Sequence, residues 1–146
     1  MGIVYWFKSL FSNAKDKQAR QLRIDELNRE LEALELGKID EDFFGITSNG
    51  MDCIYFVKKD GRIQIEFEAI MTKQLPYIEK LEAYAKRKGF ESKHITYGNK
   101  PDYNATEAPV LQMLIHATSR KATDIAKEIQ LDIFENTLET KYDVVP

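Results

Sequence analysis

The side chains best suited to acid–base work or to holding a metal fall in three short stretches. Glu66 and Glu68 stand two residues apart within 62–70, His94 lies within 92–97, and His116 within 110–117. Two imidazoles and two carboxylates on one surface could hold a divalent cation or relay a proton. If each stretch is a strand, residues two apart share a face. Glu66 then lies with Glu68, His94 with Thr96, and Gln112 with His116. Convergence depends on strand order, which the sequence leaves open. The plainer reading is a row of solvated residues on the open side of a sheet. Cys53, the single cysteine, has no base beside it in sequence and reads as a small buried apolar residue. One cysteine also excludes an internal disulfide framework and a multi-cysteine zinc site. The sequence contains no phosphate loop, dinucleotide fingerprint, Gly-x-Ser-x-Gly elbow or His-Glu-x-x-His motif. No cofactor and no metal are implied.

The elements that would position these residues follow from periodicity. Residues 13–36 read as a helix, with Ile24, Leu27, Leu31 and Leu34 on one stripe and Gly37 as its left-handed end. Residues 40–50 read as a connector, punctuated by Gly45 and Asn49-Gly50. Residues 53–57 and 62–70 form a hairpin about Asp60-Gly61, a pair that suits a tight primed turn. In the second strand Ile63, Ile65, Phe67 and Ala69 alternate with Gln64, Glu66 and Glu68, which predicts one buried and one wet face. Residues 72–88 are a helix, with Pro76 in its first turn and Gly89 at its end. A strand over 92–97, a long loop over 98–109 and an apolar strand over 110–117 follow. Thr118 or Ser119 then caps a last helix with Ala122, Ile125, Ala126, Ile129 and Ile133 inward, and the tail reads as extended.

The expected fold is therefore α+β. A hairpin–helix unit is used twice, in an antiparallel sheet of four to five strands with helices on one face. A helical portion, 1–37, precedes a body, 51–146, within one folded domain of 146 residues.

Two further features bear on function. The loop over 98–109 presents Tyr103, a residue type common at binding surfaces. The first eleven residues crowd Ile3, Val4, Tyr5, Trp6, Phe7, Leu10 and Phe11 together. Residues 1–23 hold five basic residues and one acidic residue, against 16 basic and 23 acidic in the remainder. Such an arm, with Trp6 as its anchor, suits packing on the body, contact with a second copy, or a membrane interface. The net charge of -3 argues against a general nucleic-acid coat protein. With no secretory leader legible, a cytoplasmic protein is expected. Three functions remain. The leading one is a non-enzymatic protein-binding module of adaptor, chaperone or inhibitor type, acting as a homodimer. The second is a small enzyme or metal-binding domain using the polar sheet face, and the third a peripheral membrane protein using residues 1–23. In element order alone the chain resembles small acidic secretion chaperones, homodimers that bind an unfolded stretch of a partner; this implies protein binding and assigns no residues.

Overall fold

The structure, a computed structural model, describes residues 20–146. Over these residues seven strands form one antiparallel sheet. They are β1 (Gln21–Arg23), β2 (Phe43–Thr47), β3 (Ile54–Lys59), β4 (Arg62–Glu68), β5 (Glu91–Ile95), β6 (Val110–Ala117) and β7 (Lys141–Val145). Their order across the sheet is β1-β7-β2-β3-β4-β6-β5. Three α-helices accompany them: α1 (Leu27–Glu35), α2 (Leu75–Lys88) and α3 (Ser119–Glu128), the last running into a π turn at Ile129–Ile133. The fold is α+β.

The apolar alternation sets which face the helices cover. Ile63, Ile65 and Phe67 of β4, Ile54 and Phe56 of β3, and Leu111 and Met113 of β6 are buried with helix residues in one cluster. Leu27, Leu31 and Leu34 of α1, Leu81 and Tyr84 of α2, and Ala122 and Ile125 of α3 belong to it. The predicted turn chemistry is present. Asp60 and Gly61 both have positive φ, which matches the right-handed twist of the β3–β4 hairpin. Gly37 and Gly89 end their helices in the left-handed conformation. Thr118 caps α3 by accepting from the Lys121 N–H.

The sheet has seven strands where four to five were expected, and the reasons are local. The stretch read as a connector contains β2, because Gly45 looks like a break but sits mid-strand. A Cβ there would lie 3.0 Å from the Tyr55 ring and 3.0 Å from Val145 Cγ2. The glycine lets the Tyr55 ring cross its neighbour strand. The helix expected over 13–36 is also shortened within the described residues. Gln21–Arg23 pair with β7, Leu22 opposite Tyr142, and a 3-10 turn at Ile24–Glu26 precedes α1. Pairing with a strand more than a hundred residues away overrides local helical preference. β6 lies between β4 and β5, one strand from the edge. Among the described residues, no helix is long and apolar enough to cross a membrane.

Gly45→Ala tests the close approach. The site is extended rather than left-handed, so the cost is steric and should be about 1–3 kcal/mol of unfolding free energy. Urea denaturation measures it, and a neutral effect would show that the Tyr55 ring yields freely.

Candidate functional site

The second face of the sheet, away from the helices, carries the carboxylates. Strand register places Val145, Gly45, Tyr55, Glu66, Gln112 and Lys93 in one row across it. This face was expected to be wet, and it is largely closed. Glu66 is 2% exposed, Gln64 1% and Glu68 8%. The segment 96–109, of which 96–97 were read from sequence as strand and 98–109 as a loop, folds back over them.

Several polar groups bind this face to the segment or to one another. The Tyr97 hydroxyl donates to Glu66 Oε1 at 2.6 Å, and Gln112 Nε2 donates to Glu66 Oε2 at 2.7 Å. Both oxygens of a buried carboxylate thus have a donor, as burial requires. Asn99 Nδ2 donates to Glu68 Oε2 at 2.8 Å. Tyr103 turns inward and donates to the Ala69 carbonyl at 2.6 Å. Asp102 accepts from the Thr72 N–H at 2.9 Å, and the Ala108 N–H donates to the Asn99 carbonyl at 2.7 Å. Beneath the segment Cys53, Tyr55, Ile70, Ala108 and Val145 form a second small apolar cluster. Burial, then the bond to Glu66, pushes the Tyr97 phenol above its ordinary range. Tyr103 is shifted the same way, chiefly by burial.

The two histidines do not join the carboxylates. His94 pairs with Leu111, so it faces the helix side, and its Nε2 meets the Glu82 carboxylate of α2. The residue on the carboxylate side is its neighbour Lys93. The four groups that strand order could have brought together therefore do not converge, because a one-residue step along a strand exchanges faces. His116 shares the face of Glu66 but sits at a register shift opposite Gln64, with φ of 45°. Gln64 Oε1 accepts the His116 N–H at 3.0 Å, which fixes the amide orientation. Gln64 Nε2 then lies 2.9 Å from His116 Nδ1. An amide nitrogen only donates, so Nδ1 is the acceptor in this contact. Among the described residues, no group of three or more His, Cys, Asp or Glu could hold a metal ion.

Cys53 is buried, and burial together with the nearby Asp52 charge pushes its thiol well above the usual range. Among the described residues the Tyr55 hydroxyl has no nitrogen or oxygen partner, and the Cys53 thiol is set against it. Such a thiol is a poor nucleophile. Trp6 lies outside the described residues.

A second polar centre, around Asp52, was not anticipated. This residue is 1% exposed. Its Oδ1 accepts from Thr47 Oγ1 at 2.8 Å and from the Ser48 N–H at 2.8 Å. Its Oδ2 accepts from Ser48 Oγ and from Asn136 Nδ2. Gln130 Nε2 donates to the Asp52 carbonyl at 3.0 Å. From the other side the buried Gln74 accepts from the Ile70 and Met71 N–H groups and donates toward the Gly50 and Met51 carbonyls. The turn formers at Asn49-Gly50 were the only sequence signal. Nothing local shows that Gln74, Gln130 and Asn136 converge on that turn.

The arrangement holds chain segments together, with the carboxylate oxygens occupied by donors of the chain itself. Comparison with family models, with curated proteins and with solved structures finds no match to this chain.

Tyr97→Phe should therefore leave one oxygen of a buried carboxylate short of a donor and cost about 2 kcal/mol of stability. Hydrogen exchange should accelerate across residues 98–109 in the same variant, with the helices unaffected. In the unaltered protein Cys53 should react with a disulfide reagent only at the rate of opening or unfolding; prompt labelling of the folded protein would contradict its burial.

Proposed function

We propose that the protein is a non-enzymatic protein-binding module whose partner presents a basic segment. The observation that carries this reading is where the acid–base side chains are spent. Glu66, Glu68, Gln64 and Asp52 are buried and hydrogen-bonded within the chain. Cys53 is buried, and His94 and His116 are held on different faces. What the surface offers is charge and shape. A cavity of about 490 Å³ lies between β1 and α1, lined by Arg20, Gln21, Leu22, Asp25, Glu26, Asn28, Arg29, Glu30 and Glu32. Four carboxylates face two guanidiniums there, and one of those is taken up by the Arg20–Glu30 pair at 2.7 Å. A groove of this kind favours a cationic, extended stretch over an apolar small molecule, since drug-like sites are mostly apolar.

The test is a titration of the full chain with a labelled peptide alternating Lys and Arg with Tyr, and with its Asp/Glu counterpart. The basic peptide should bind, shifting the amide resonances of residues 21–32, and the acidic one should not. Binding should weaken with added salt as screening shortens the reach of the charges. Glu32→Lys should reduce affinity by about tenfold, a loss of about 1.4 kcal/mol. Binding that maps to the Glu66 face, or no binding by either peptide, would overturn the reading.

A further inference from the structure

We infer that two copies of this chain join edge to edge through β5, with Ser92 on the two-fold axis. The inference goes beyond the groove and does not depend on it. β5 is the last strand of the sheet among the described residues, so one side of its backbone has no strand partner. Such an edge is a template for another strand. Natural edges are commonly blocked by charge, and β5 does carry Glu91, Lys93 and His94. Whether those charges block pairing depends on register.

In a two-fold antiparallel pair the helix faces of both copies lie on the same side. Facing residues must then share a face, and registers step by two in the paired positions. Centring the axis on Glu91 opposes two carboxylates, and centring it on Lys93 opposes two ammonium groups. Centring it on Ser92 sets Glu91 of each copy opposite Lys93 of the other, twice by symmetry. Both residues are exposed and both point to the side away from the helices. On the helix side the same register sets Phe90 opposite His94. The charges therefore block the flanking registers and support this one, as cross-strand ion pairs do within a sheet.

Helix α2 lies beside this edge. It packs against β5 and β6 and carries Glu79, Lys80 and Glu82 along its middle, with Lys86, Arg87 and Lys88 in its last turn. A two-fold axis at Ser92 runs the two α2 helices antiparallel, so that their basic last turns lie at opposite ends of the contact. The contact is isologous and closes at two copies, with the sheet continuous across it.

The experiment is sedimentation of the full chain with charge-reversal variants. The unaltered protein should be a concentration-dependent dimer. Glu91→Lys alone and Lys93→Glu alone should each weaken it by about tenfold or more, since two attractive pairs become repulsive. The double variant exchanging both charges should restore it. Circular dichroism and melting temperature verify that each single variant is folded. Ser92→Cys should form a disulfide-linked dimer on mild oxidation, because facing Cα atoms in an antiparallel pair lie about 4.5–5.5 Å apart, within disulfide reach. A monomer at all concentrations would overturn the inference. So would a dimer indifferent to the single reversals, or one that the exchange fails to restore. A groove that binds no peptide would leave these outcomes unchanged.

Discussion

Glu66 is a carboxylate held out of water in the middle of a sheet, and much of the second face follows from that. A buried carboxylate is tolerated only when donors fill its oxygens. Its two donors come from different places: Gln112 from the neighbouring strand β6, and Tyr97 from the segment that leaves β5. The acid can be dry only when that segment is in place. Once there, the segment brings Asn99 to Glu68, Tyr103 to the Ala69 carbonyl, and Ala108 onto Cys53 and Tyr55. A polar strand face and a long loop thereby become one closed layer.

The same requirement operates around Asp52. Its carboxylate collects donors from Thr47, Ser48 and Asn136, and its carbonyl collects Gln130. The β2–β3 connection is thus fastened to the end of the π turn, and through Gln74 to the start of α2. Both centres fasten connections to the sheet, apart from the main apolar core. They order segments that hydrophobic burial alone would leave free to move. Polar networks of this sort are stable only when complete, which makes the connections interdependent.

Glu66, Glu68, Asp52 and Cys53 are buried while His94 and His116 stay exposed, and the contacts proposed above rest on surface charge and a strand edge. Acidic residues gather around β1 and α1, where the cavity lies. The far edge of the sheet carries opposite charges on one strand, spaced two apart, so a second copy can satisfy them. These two surfaces are at opposite ends of the strand order, and occupation of one does not obstruct the other.

Several elements were legible because their causes are local. Asp60-Gly61 sets a hairpin, Gly89 ends a helix, and the spacing of Ile63, Ile65 and Phe67 marks a buried face, all through interactions of near neighbours. The α+β class and the inward stripe of α1 follow from such patterns. What failed was set by distant partners. Gly45 read as a break because the Tyr55 ring it accommodates lies on another strand. Residues 21–23 read as helix because their pairing partner, β7, is at the other end of the chain. Glu66 read as solvated because the hydroxyl that covers it belongs to a loop thirty-one positions on. His94 was grouped with it because the face a strand residue takes is fixed only once its register is. Periodicity and turn chemistry, which act over a few residues, are written in the sequence. Strand order, register and the completion of buried hydrogen bonds arise between segments that meet only on folding, and the tertiary structure alone decided them.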